Sequence, residues 1–121
     1  MKKLIIALLV VSVFLSGCLA NTATEVLEFD NDIENVRQHT ISFATGGGDF
    51  EKFSEEIKEF NGKLDKIRSK DEKVNAFIEA QRKANDLRLE AFRDMDYDKI
   101  NESTGYQARA LEIYYDIKDA N

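Results

Sequence analysis

Few side chains in this sequence are of types that could carry covalent or acid–base chemistry. The 121 residues include one cysteine, Cys18, and one histidine, His39. The chain contains no Gly-x-Ser-x-Gly, P-loop or His-Glu-x-x-His pattern, which are arrangements that place a nucleophile, a phosphate or a catalytic zinc ion. We therefore predict no catalytic residue, no metal site and no cofactor, and we expect that the protein is not an enzyme.

Cys18 follows a segment with the features of an export signal. Lys2 and Lys3 form a basic start, residues 4–15 are apolar except for Ser12, and small residues precede the cysteine. The apolar run is too short to cross a bilayer, which takes roughly 20 such residues. A lone cysteine in an exported chain has no disulfide partner, so its thiol is available for another modification.

The run Leu15-Ser16-Gly17-Cys18 resembles the lipobox of prokaryotic lipoproteins. The resemblance covers residues 1–18 and implies that Cys18 receives a diacylglyceryl-type lipid with palmitate-like chains. It further implies cleavage between Gly17 and Cys18 and export to the cell membrane or outer membrane, facing the periplasm or exterior. Two acyl chains suffice for stable attachment, so the first expected partner is a membrane, to which the lipid on Cys18 attaches the protein.

The charge of the chain excludes another class of partner. The net charge is −6, and removing residues 1–17 takes away two lysines and no acid, which leaves −8. A domain this acidic is repelled by nucleic acid. We therefore predict that the protein does not bind nucleic acid. The second expected partner, after the membrane, is a protein of the cell envelope.

The segments that must position any functional residue are helical. Apolar residues recur at alternating steps of three and four, which is the spacing of one helix face, within residues 24–44, 49–68, 71–95 and 97–119. Similar lengths and short connections favour an all-α, antiparallel up-down-up-down four-helix bundle. The alternatives are a three-helix bundle with a loose first helix, or helical hairpins that dimerise. The predicted organisation is a signal peptide over residues 1–17, a lipidated tether over 18–23 and a bundle domain over 24–121.

Polar residues occupy several positions on the apolar stripes, namely Thr40, Gln81, Thr104 and Gln107. In an up-down bundle Gln107 is expected to lie level with Asn85 of the preceding helix. Thr104, Gln107 and Asn85 are therefore a candidate polar pocket, and Gly105 would allow a close approach there. The alternative interpretations are a buried polar pair that fixes helix register and a solvated stretch of the last helix.

The last predicted helix carries all four tyrosines of the chain. Tyrosine is favoured at interfaces because it combines a large contact area with a polar tip. Tyr106, Tyr114 and Tyr115 are therefore the candidate face for a protein partner.

His39 is the one residue suited to bind iron or haem. A di-iron bundle site requires Glu-x-x-His patterns, but Val36 stands three residues before His39. Haem held by His39 and Met95 would need both side chains in the core, whereas His39 falls beside its stripe. The sequence thus favours a membrane-tethered lipoprotein that acts as a non-enzymatic binding or structural domain; the alternative is a small-ligand, metal or sensor-type bundle.

Overall fold

A computed structural model describes residues 23–120, and this part of the chain is an all-α four-helix bundle. The helices are α1 (Asp30–Ala44), α2 (Phe50–Asp65), α3 (Glu72–Asp94) and α4 (Tyr97–Ala120). A further helical turn over residues 23–27 precedes α1. The predicted fold class is confirmed, whereas the predicted signal peptide and Cys18 lie outside the described residues.

Local sequence signals explain where α2 begins and where α3 begins and ends. The Asp49 carboxylate accepts a hydrogen bond from the backbone N–H of Glu51, and Asp71 accepts from Lys73 and Val74, so both aspartates cap free N–H groups. Met95 ends α3 in the left-handed conformation with φ of 55°. Each cap stands at a break that the sequence predicts.

Two clusters of aromatic rings mark the two ends of the core and fix the direction of the helices. Phe29 contacts Phe77 with ring centroids 6.3 Å apart, and Phe43 contacts Phe92 with centroids 4.4 Å apart. We call residues 23–44, which comprise the helical turn and α1, the first helical segment. Because Phe29 pairs with Phe77 and Phe43 pairs with Phe92, this segment runs parallel to α3, as an up-down-up-down bundle requires.

The first helical segment belongs to the core. Val26, Phe29, Ile33 and Val36 are each at most 6% exposed, and Phe29 also contacts Phe60 of α2, with centroids 5.3 Å apart. These contacts exclude the alternative in which the first helix is loose. Within residues 23–120, no helix has the length and apolar composition needed to span a bilayer.

Candidate functional site

A buried pair of glutamine side chains joins α3 to α4 at the middle of the bundle. Gln81 donates to Gln107 Oε1 at 2.9 Å, and Gln107 donates back to Gln81 Oε1 at 2.7 Å. Gln81 is fully buried and Gln107 is 7% exposed. In this reciprocal amide pair each carbonyl oxygen accepts a hydrogen bond from the partner amide, which offsets the cost of burying it.

The pair extends into a chain of side-chain hydrogen bonds that reaches α2. Gln81 also donates to Asn85 Oδ1 at 2.9 Å, and Asn85 donates to Asn61 Oδ1 at 3.0 Å. Asn61 in turn donates to Asp86 Oδ1 at 3.1 Å. Three helices are therefore linked by one polar network, which defines their relative register.

Arg88 places a positive charge in this network. Its side chain donates through Nη1 to Gln107 Oε1 at 2.6 Å, and the residue is only 5% exposed. Within residues 23–120 its buried Nε has no hydrogen-bond partner, and none of the ion pairs includes it. Burial lowers the pKa of Arg88 to about 10, so the guanidinium remains charged at neutral pH.

The candidate polar pocket is brought together only in part. Gln107 and Asn85 both bond to Gln81, so the structure places them in one network. Thr104 is exposed instead, and its hydroxyl donates to the Ile100 carbonyl at 3.0 Å. Ser103 takes the inner position, 1% exposed. The polar residues therefore form a closed contact with one another, and Thr104 takes no part in it.

A groove lies beside this network, between α3 and α4. Its volume is about 690 Å³ and it is open to solvent on one side. Small side chains of α3, Ala76 and Ala80, contribute to its apolar part, and the ring of Tyr106 lies across from them on α4. The remaining lining residues are Asn75, Ile78, Glu79, Arg82, Lys83, Asp86 and Arg109.

The cations of the groove differ in how they are neutralised. Arg82 pairs with Asp65 at the end of α2 and lies 3.7 Å from Asp86. Lys83 and Arg109 take part in none of the ion pairs found within residues 23–120. The groove therefore combines apolar surface, an aromatic ring and two cations that form no ion pair within residues 23–120, in an acidic protein.

The predicted tyrosine face is divided by the structure. Tyr106 is 40% and Tyr115 is 54% exposed, so both are accessible. Tyr114 is 2% exposed and donates to the Leu27 carbonyl at 3.2 Å, so it belongs to the core and not to a partner face. Burial raises the pKa of the Tyr114 hydroxyl, and the carboxylate of Asp30 raises it further.

The residues considered for iron or haem are placed elsewhere. His39 Nε2 lies 2.8 Å from the carboxylate of Glu56, at the surface between α1 and α2. Met95 is 62% exposed, so it does not lie in the core, where haem ligation would require it. Among the described residues, no three His, Cys, Asp or Glu side chains are grouped to hold a metal ion.

The sequence points to the polar network but not to the groove. Gln81 and Arg88 stand at stripe positions, which marks them as polar residues in the core. Lys83 and Arg109 stand on faces that look solvated in sequence, because the groove depends on how α3 and α4 pack. Comparison with known proteins gives no further guidance: no family, no curated protein and no solved structure matches the chain.

Proposed function

We propose that this protein is a lipid-tethered, non-enzymatic binding domain of the cell envelope that holds a protein partner in the α3–α4 groove. The observation that carries the proposal is the combination in one open groove of Tyr106 with Lys83 and Arg109, two cations that form no ion pair among the described residues. Hot spots of interfaces are enriched in tyrosine and arginine set in apolar surroundings.

The rigidity of the α3–α4 pair supports this role. The groove residues stand on two helices that the Gln81–Gln107 pair and the Arg88 bond hold together from the inside. A surface on packed helices needs little ordering when a partner binds, so less of the interaction free energy is lost. The network thus acts as support for the groove.

The tether rests on the lipobox-like run that ends at Cys18. The described helices start at residue 23, five positions after Cys18, which is a reach of at most roughly 18 Å. A lipid on Cys18 would therefore keep the bundle, and any partner in its groove, close to the membrane surface.

The membrane claim is tested by fractionating cells that produce the wild type or a Cys18→Ser variant. We expect the wild type in the membrane fraction, with a mass that includes the lipid and lacks residues 1–17. The variant should keep residues 1–17 and carry no lipid. An unlipidated wild-type protein would contradict the tether.

The binding claim is tested by photo-crosslinking in intact cells, with a photoreactive residue replacing Tyr106. Ile41 of α1, which is 50% exposed and does not line the groove, is the matched control position. We expect one defined adduct from position 106 and none of the same size from position 41. Identical adduct patterns from the two positions would refute a groove-specific partner.

A second candidate function is a small-ligand or sensor bundle that uses the same groove. Its volume falls within the range of about 300–1,000 Å³ that is typical of ligand pockets. Its open side argues for a larger partner, since pockets usually bury most of a small ligand. Thermal-shift measurements with small polar ligands and metal ions test this function, and a shift that Tyr106→Ala abolishes would favour it.

A further inference from the structure

We infer that the α3–α4 groove recognises a helix that carries two acidic residues one helical turn apart. The inference rests on the proposed function and adds the chemistry of the partner. It is carried by the charges and the register of the groove residues.

The register of α3 and α4 sets the spacing of the two free cations along the groove. Gln81 and Gln107 are level, because their side chains bond to each other in both directions. Lys83 stands two residues after Gln81, and Arg109 stands two residues after Gln107 on a helix that runs the opposite way. Their backbones are therefore offset by about four residues of rise, roughly 6 Å along the bundle axis.

That offset matches a common spacing on the surface of a helix. Residues i and i+4 are neighbours on one helix face and differ by roughly 6 Å in rise. Two glutamates at i and i+4 could therefore each approach one cation, Lys83 or Arg109. Tyr106 lies between these cations in register, so an apolar residue of the same turn would face its ring.

The local charge favours an acidic partner over a basic one. The lining holds three cations, Arg82, Lys83 and Arg109, and two carboxylates, Glu79 and Asp86, which gives it a net charge of +1. Arg82 is paired with Asp86 and, outside the lining, with Asp65, so it adds no net attraction. Lys83 and Arg109 remain, opposed within the lining by Glu79. Because the whole chain is acidic, with a net charge of −6, an acidic helix gains attraction only where positive charge is concentrated. Binding of such a helix elsewhere on the surface is disfavoured by repulsion.

The shape of the groove favours a helix over a small anion. The α3 residues that line it extend from Asn75 to Asp86, which corresponds to roughly 16 Å of helix. An open groove of this length accommodates about three turns of an amphipathic helix, which is a recurring mode of peptide recognition.

The test is fluorescence anisotropy with synthetic, labelled amphipathic helical peptides and the full lipid-bearing protein in detergent. The first peptide carries glutamates at i and i+4 beside an apolar stripe, the second carries glutamines there, and the third carries the two glutamates at i and i+2. We expect the first peptide to bind about fivefold more tightly than the other two. Equal affinities for the three peptides would overturn the inference.

Matched protein variants locate the site. The variant Lys83→Gln/Arg109→Gln should lose the preference for the first peptide. The control Lys66→Gln/Lys118→Gln changes the charge equally at exposed positions outside the groove lining and should keep the preference within about twofold. Equal losses in both variants would show a general charge effect and contradict the assigned site. Circular dichroism of each variant verifies that the bundle is folded.

The two proposals fail in different ways. If an adduct forms at position 106 in cells but the three peptides bind with equal affinity, the proposed binding function is supported. The inference that the partner is an acidic helix is then refuted. If the groove discriminates between the peptides but no adduct forms in cells, the proposed cellular function is refuted, while the preference of the groove for an acidic helix is supported.

Discussion

Arg88 is a charged residue held where water cannot reach most of its guanidinium. One hydrogen bond to Gln107 accounts for its polar contacts within residues 23–120, and its Nε has none. Moving a charge out of water costs several kcal/mol unless good partners replace the water. The neutral amide of Gln107 replaces it only in part, so Arg88 is expected to reduce the stability of the fold.

We predict that Arg88→Met raises the free energy of unfolding by about 1–3 kcal/mol. Methionine fills similar space without a charge, and Gln107 Oε1 still accepts from Gln81. Urea unfolding measures the change, with Arg82→Met as the control because Arg82 is half-exposed and ion-paired. A loss of stability in Arg88→Met would show that the guanidinium has compensation beyond the bond to Gln107.

The pH dependence of this gain follows from the direction of the pKa shift. The pKa of Arg88 is lowered to about 10 in the folded state, below its ordinary value. Below that pH, folded and unfolded states are both charged, so the cost of burial is fully present. As pH rises through 10 the folded state releases its proton first and the cost is relieved. The difference between Arg88→Met and wild type should therefore be constant from about pH 6 to 8.

Gln107 is the acceptor that makes the buried charge tolerable. We predict that Gln107→Leu alone lowers the free energy of unfolding by about 2–3 kcal/mol, because it removes the one acceptor that residues 23–120 offer to Arg88. Arg88→Met should therefore add more stability in the Gln107→Leu background than it adds to the wild type, because there it removes a buried charge that has lost its acceptor. The double-mutant cycle measures the coupling between the two residues. Strictly additive effects would contradict a functional bond between them.

At the scale of the helices, most of the fold could be predicted from sequence, because the helical spacing of apolar residues stops at the same positions where turn and cap residues occur. The predicted segment 71–95 corresponds to α3 (Glu72–Asp94), and 97–119 corresponds to α4 (Tyr97–Ala120). The first segment was predicted to begin at 24, but α1 begins at Asp30 after a separate helical turn over 23–27. Boundaries of this kind depend on tertiary contacts, such as the burial of Phe29, more than on local propensity.

The inner face of α4 was predicted less well than its length. Counting in alternating steps of three and four residues along α4 places Thr104 and Leu111 on the face that should be buried. The structure buries Ser103 and Ala110 instead. Both buried residues are small, and the buried positions of α3 likewise include the small residues Ala80 and Ala84. Close packing of two helices favours small side chains at the contact, and hydrophobicity alone does not reveal this. The groove could not be predicted from sequence for the same reason, since it depends on how α3 and α4 pack.

Gly105 tests how α4 packs. A side chain added at Gly105 would meet no atom within 4 Å, and its backbone does not require positive φ. Gly105→Ala should therefore raise the free energy of unfolding by about 0.5–1 kcal/mol through helix propensity. Thermal unfolding measures the shift.

Gly48 provides the opposite case. An added Cβ there would lie 2.8 Å from the Phe43 ring, so Gly48→Ala should lower stability. For Gly105→Ala, in contrast, a loss of stability would contradict the prediction. It would indicate that another helix approaches Gly105 closely, as the sequence suggested, whereas the structure shows open space there.

At the scale of the whole molecule, the core consists of two aromatic ends separated by a polar middle. Phe29, Phe60 and Phe77 pack together at one end, and Phe43, Phe53 and Phe92 pack together at the other. The Gln81 network lies between them. The apolar ends supply most of the hydrophobic stabilisation, while the polar middle favours one register, since a shifted helix would leave several amides without partners. The first helical segment contributes a ring to each end, so its attachment determines whether the bundle is one cooperative unit.

We predict that Phe29→Ala lowers the free energy of unfolding by about 3–4 kcal/mol. Phe29 is 6% exposed and contacts rings from both α2 and α3, so its removal leaves a cavity shared by three helical segments. Tyr97→Ala, at a position 67% exposed, is the control and should change stability by less than about 0.5 kcal/mol. Because the first segment shares this core, circular dichroism and tyrosine fluorescence should report one coincident transition for Phe29→Ala. Separate transitions, or an effect no larger than that of Tyr97→Ala, would mean that the first segment is attached only loosely in solution and that three helices suffice for the core.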